Sequence, residues 1–111
     1  MLVLLLSALL LATTDPTLEA DVLAGRTDAI RARGHAVLPA LVQMYRSAGP
    51  DRRAEIARTF YALGWPSPEA KTALMQDAHT PHQALRLQVQ WALGRVSADP
   101  DVVDVLLDNM R

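Results

Sequence analysis

From Asp15 onward, apolar residues recur at three- and four-residue intervals, in runs that glycine and proline stop. Leu85, Val89, Ala92 and Leu93 fall at i, i+4, i+7 and i+8, while Arg86 and Gln90 lie off that line. Such spacing places one apolar stripe on a helix. Ile56, Phe60 and Leu63 make the same stripe one run earlier. The breaks are equally regular: Ala48-Gly49-Pro50-Asp51, Gly64 with Trp65-Pro66-Ser67-Pro68, His79-Thr80-Pro81, and Ser97-Ala98-Asp99-Pro100. Proline lacks the amide donor and clashes with the preceding turn, so no helix runs through these points. Helices are therefore predicted over 52–63, 69–78, 82–96 and 101–111, with Ser97 or Asp99 capping the last and Pro100 at its first position. No stretch alternates at period two for long enough to make a strand. The run before Gly34 is weaker, with Gly25 inside it and Arg33 where the later copies have Leu. A broken or atypical first unit is expected there.

These runs repeat. Ala32-Arg33-Gly34, Ala62-Leu63-Gly64 and Ala92-Leu93-Gly94 stand 30 residues apart, twice over. The segments after the glycines align as well: 37–42, 70–75 and 102–107, at offsets of 33 and 32. Short helices before and after a marker at a fixed period indicate a helical repeat, each hairpin having an apolar stripe that it buries only against its neighbours. The expected fold is all-α: a short α-α solenoid of two to three stacked helical hairpins, with the three glycines marking the repeat, Gly64 and Gly94 closing inner helices and Gly34 marking a degraded end unit.

Composition agrees. The 111 residues are half hydrophobic but only 5% aromatic, and rich in Ala and Leu, which suits close-packed helices better than a β-sandwich. The length is that of one domain. With no cysteine, disulfides, thiol catalysis and cysteine zinc sites are excluded. Residues 1–14 stand apart from residues 15–111. Met1 to Ala12 reads MLVLLLSALLLA, too short to span a bilayer, which takes about 20 residues. It matches the apolar core of a secretory signal, with small residues at Ala12-Thr13-Thr14 for cleavage, although no Lys or Arg precedes it. A buried N-terminal helix is the alternative. Export follows from the first reading and a cytoplasmic location from the second.

The repeat resembles the HEAT-like family, in particular the short bacterial kind found in phycobilisome lyases. Its outer helix reads V-P-A-L, approximated by Val37-Leu38-Pro39-Ala40-Leu41. Its inner helix reads V-R-x-x-A-x-x-A-L-G, matched by Ala84-Leu85-Arg86-Leu87 with Gln90-Trp91-Ala92-Leu93-Gly94-Arg95-Val96. The middle copy keeps Tyr61-Ala62-Leu63-Gly64. The likeness covers about Ala20 to the end. It implies inner helices lining a concave face and identifies a repeat class rather than a function; some relatives attach bilin chromophores.

Candidate chemistry is sparse. Asp77, His79 and His82 sit close in sequence, but Pro81 breaks the face that would align them as zinc ligands, and a solvated turn is expected instead. His35 has no nucleophile or carboxylate paired to it in the pattern, and no nucleophile-elbow, phosphate-loop or zincin motif occurs. Neither a catalytic group nor a cofactor is expected. Charge carries more. The net charge of −1 creates no field toward nucleic acid, yet eight of the eleven basic residues fall on inner segments: Arg26, Arg31, Arg33, Arg52, Arg53, Arg58, Arg86 and Arg95. A groove holding a protein or acidic peptide is expected on Arg52, Arg53, Arg58, Arg86 and Trp91, Trp91 being an aromatic at a slot that is polar in many of these repeats. The competing expectation is local pairing of these arginines with Asp28, Asp51 and Glu55. A non-catalytic adaptor is thus the favoured function, with a bilin-lyase-like accessory protein as the alternative.

Overall fold

The computed structural model describes residues 16–109; the apolar segment at residues 1–14 lies outside them. The described residues form seven helices and no strand: α1 (Pro16–Ala24), α2 (Thr27–Arg31), α3 (Val37–Ser47), α4 (Pro50–Leu63), α5 (Pro68–Met75), α6 (Gln83–Val96) and α7 (Pro100–Asn109). None is long and apolar enough to cross a membrane.

Local chemistry sets the boundaries. Helices α1, α4, α5 and α7 each open on a proline, whose missing amide would have had no helical partner in the first turn. Ser67 caps α5 by accepting the Ala70 N–H at 3.1 Å, and His82 caps α6 by accepting the Leu85 N–H on Nδ1 at 3.3 Å. The expected break in the first unit falls at Gly25, whose φ of +69° separates α1 from the five-residue α2. Gly64 ends α4 in the left-handed conformation, its N–H bonded to the Phe60 carbonyl. Gly94 differs from the expectation. It lies inside α6, which continues through Arg95 and Val96 to an extended Ser97. Only Gly34 and Gly64 of the three markers take a positive φ.

The apolar stripes fill one core. Ile56, Phe60 and Leu63 of α4 meet Leu85, Val89, Ala92 and Leu93 of α6, all buried, in the most extensive helix–helix contact among the described residues. Leu18 and Val22 of α1, Ile30 of α2, and Leu41 and Tyr45 of α3 extend the core on one side, Leu74 of α5 and Val102 of α7 on the other. Each fully buried side chain of this size contributes roughly 1.5–3 kcal/mol of transfer free energy.

Polar contacts give the helix directions. Asp51 and His82, at the starts of α4 and α6, approach to 3.3 Å, while the Tyr61 and Trp91 rings near their ends lie 6.3 Å apart. The two helices therefore run side by side in the same direction. Glu19 pairs with Arg52, and Arg31 reaches the carbonyls of Ala62 and Leu63, so the α1–α2 segment runs parallel to α4 as well. Among the other helices, Tyr45 near the end of α3 bonds Asp77 just past α5, and Lys71 of α5 pairs with Asp99 and Asp101 at the start of α7. These contacts all join residues 28 to 33 positions apart, close to the period of the sequence markers.

Candidate binding face

The structure engages four of the five expected site residues with other parts of the chain. Arg52 pairs with Glu19 and Arg58 with Glu55. Arg53 is held most firmly. Its Nε donates to the Tyr45 and Ala48 carbonyls at 2.9 Å each, its Nη2 to the Arg46 carbonyl at 3.1 Å, and its Nη1 to Asp77 Oδ2 at 2.9 Å. The end of a helix leaves carbonyls without amide partners, and Arg53 satisfies those of α3 from the first turn of α4. Its guanidinium also lies 5.1 Å from the Tyr45 ring centroid. Burial, then the hydrogen bond to the Asp77 carboxylate, push the Tyr45 hydroxyl far above its ordinary pKa. Arg53 is thus a structural tie. Arg86 donates to the Thr80 carbonyl at 2.9 Å and lines a shallow hollow of about 200 Å³ with Gln83, Leu87 and Gln90. Trp91 is half exposed.

Trp91 belongs to a larger arrangement at the C-terminal ends of α2, α4 and α6. Positions 31, 61 and 91 carry Arg31, Tyr61 and Trp91; positions 35, 65 and 95 carry His35, Trp65 and Arg95. The rings of His35 and Trp65 stack with centroids 4.1 Å apart and planes at 19°. The Arg31 guanidinium lies 5.7 Å from the Trp65 ring, and that of Arg95 lies 5.1 Å from the Tyr61 ring. The cation–ring pairs 31/65 and 61/95 occupy equivalent positions 30 residues apart, with cation and ring exchanged. Tyr61 is 41% exposed, Trp91 50%, and Leu87, one turn before Trp91 on α6, 45%. The result is a row of rings and guanidiniums, exposed except at Trp65, which is half-buried against the core.

The cations of this row differ from most others in the molecule. Asp21 takes both Arg26 and Arg33; Glu19, Asp77 and Glu55 take Arg52, Arg53 and Arg58; Asp99 and Asp101 take Lys71. Among the described residues no carboxylate forms an ion pair with Arg31 or Arg95. Of the residues that the local pairing expectation named, Glu55 does pair with an arginine, whereas Asp51 pairs with His82.

Tyr61, Leu87 and Arg95 were not singled out as site residues by the sequence pattern. Their signal was the period, since Tyr61 is the counterpart of Trp91, and Leu87 and Arg95 flank Trp91 at i−4 and i+4. The residues weighed as metal ligands have other roles: Asp77 serves Tyr45 and Arg53, and His82 serves as a cap and faces Asp51. Among the described residues no group of three or more His, Asp or Glu side chains is placed to hold a metal ion. Comparison with protein-family models, with curated proteins and with solved structures finds no match to this chain.

Proposed function

We propose that the chain is a non-catalytic binding scaffold of the HEAT-like repeat type, whose stacked hairpins present α4 and α6 as a concave face for a protein partner with acidic and apolar side chains. The stacking reading draws on the parallel course of α1–α2, α4 and α6 and on contacts that recur at the repeat period. The observation that carries the function is the exposed pair Tyr61 and Trp91 with Leu87 beside it and Arg95 unneutralised by any described carboxylate. Exposed aromatics with arginine are the commonest anchors of interfaces, and arginine favours carboxylates. The face centres on Tyr61, Leu87, Trp91, Arg86 and Arg95, because Arg52, Arg53 and Arg58 already hold carboxylates of the chain itself.

Selection of a random peptide library on the immobilised protein tests this reading. The recovered peptides should carry Asp or Glu beside an apolar residue. They should lose binding to Trp91→Ala and Arg95→Glu proteins that melt as the parent does. Peptides without acidic bias, or binding retained by both variants, would refute it.

A further inference from the structure

Arg31 and Arg95 reach the same end of α4 from its two neighbouring segments. Arg31 Nη1 donates to the Leu63 carbonyl at 3.2 Å and Nη2 to the Ala62 carbonyl at 2.9 Å. Arg95 lies against Gly64, close enough that a Cβ there would stand 3.1 Å from its Cζ. Leu63 and Gly64 are consecutive, so both guanidiniums stand at the C-terminal end of α4. The negative end of the α4 dipole favours cations here and offsets part of their mutual repulsion. It does not use up their hydrogen-bonding capacity. A guanidinium has five N–H donors; Arg31 directs two at carbonyls, and Arg95 is engaged through the Tyr61 ring. Both residues are exposed, and Tyr61, Trp65 and His35 wall the position with aromatic surface.

We propose that Arg31 and Arg95 form a two-arginine clamp for a carboxylate of a bound peptide, with the adjoining peptide side chain resting on Tyr61 and Trp91. The inference rests on the binding-scaffold reading and adds to it the chemistry of the ligand and the point where it is fixed. Charge complementarity selects the ligand. Two cations at one helix end, neither paired with a described carboxylate, call for an anion, and the aromatic wall calls for an apolar group attached to it. A carboxylate can come from an Asp or Glu side chain or from a chain terminus, and the clamp chemistry is the same for both.

Fluorescence of Trp65 and Trp91 on the full chain distinguishes the sources, using four probes at millimolar concentration. These are N-acetyl-Glu-Leu-Phe-amide, N-acetyl-Gln-Leu-Phe with a free C-terminal carboxylate, the fully neutral N-acetyl-Gln-Leu-Phe-amide, and inorganic phosphate. One or both carboxylate peptides should bind at least tenfold more tightly than the neutral one, with the preference shrinking as salt is raised. Arg95→Gln should abolish that preference and Arg95→Lys restore part of it. Arg95 bonds no described backbone carbonyl, so its variants leave the α4 cap in place; Arg31→Gln is read only beside its melting curve, because Arg31 holds that cap. Equal binding of neutral and carboxylate peptides, a preference that survives Arg95→Gln, a response to phosphate alone, or no response to either carboxylate peptide would each overturn the clamp. Library peptides that depend on Trp91 but not on Arg31 or Arg95 would leave the wider binding face standing while the clamp falls.

Discussion

The hydroxyl of Tyr45 donates to Asp77 Oδ2 over 2.5 Å, and the same oxygen accepts Arg53 Nη1 over 2.9 Å. One carboxylate thus ties α3, α4 and the turn after α5, and Arg53 carries the tie into the terminal carbonyls of α3. Removing Asp77 takes the carboxylate from a half-buried guanidinium, which keeps its three carbonyls, and the acceptor from a buried phenol. A fully buried pair broken this way costs about 3–5 kcal/mol, and partial exposure lowers the expectation for Asp77→Ala to about 2–3 kcal/mol. Tyr45→Phe removes one charge-assisted hydrogen bond and should cost about 1.5 kcal/mol. Urea midpoints of the two single variants and the double variant measure both effects, and the double should cost less than their sum.

The same contact gives a pH dependence with a definite sign. Burial and Asp77 raise the Tyr45 pKa in the folded chain far above the ordinary value of about 10. The stability tied to this group is therefore fully present below pH 10 and is lost as pH rises above it, because only the unfolded chain ionises there. Lys71, raised by hydrogen bonds to Asp99 and then Asp101, acts in the same direction at alkaline pH. Asp99, lowered by Lys71, acts oppositely: its contribution is lost as pH falls below the ordinary carboxylate range. Denaturation between pH 9 and 11 should show a decline that Tyr45→Phe flattens. An unchanged slope in that variant would assign the loss elsewhere.

Gly64 and Gly94 should respond oppositely to alanine. Gly64 has φ +68°, and a Cβ there would collide with Arg95, so Gly64→Ala is expected to cost more than about 1 kcal/mol. Gly94 is inside α6, and a Cβ would meet only Leu106 at 3.6 Å, an ordinary contact. Gly94→Ala should raise stability by about 0.5–1 kcal/mol through helix propensity. Thermal melts of the two variants should shift in opposite directions.

This contrast shows what the sequence made legible. Proline and glycine punctuation located every described helix downstream of Gly49, and Gly25 announced the broken first unit, because these residues act through their own backbone. The pattern A-L-G looked the same at 64 and 94, yet only tertiary packing decides which glycine ends its helix. The charge pattern was legible in part. It identified arginines on the segments now seen side by side, but the long arginine side chain presents a fork of donors that can serve a carbonyl or carboxylate on another helix. Hence Arg53 was read as a groove residue and is a cap for α3. The ring–cation row was half visible: the 30-residue period aligns 61 with 91 and 35 with 65 and 95. The crossing from 31 to 65 and from 61 to 95 adds one helical turn that only the packing supplies.

The five-residue groove of the sequence reading divides accordingly under charge reversal. Arg53→Glu sets a carboxylate against Asp77 and against three carbonyls, and should destabilise by more than about 3 kcal/mol. Arg58→Glu exchanges an exposed pair with Glu55 for an exposed repulsion and should stay within about 0.5–1 kcal/mol of the parent. Arg86→Glu loses one hydrogen bond to the Thr80 carbonyl and should cost about 1 kcal/mol. Binding lost in the Arg53 variant would therefore report unfolding, whereas loss in a folded Arg86 or Trp91 variant would report the face itself. Circular dichroism melts of each variant, run beside the peptide titrations, separate the two outcomes. A folded, stable Arg53→Glu protein would show that Arg53 is free for a ligand after all.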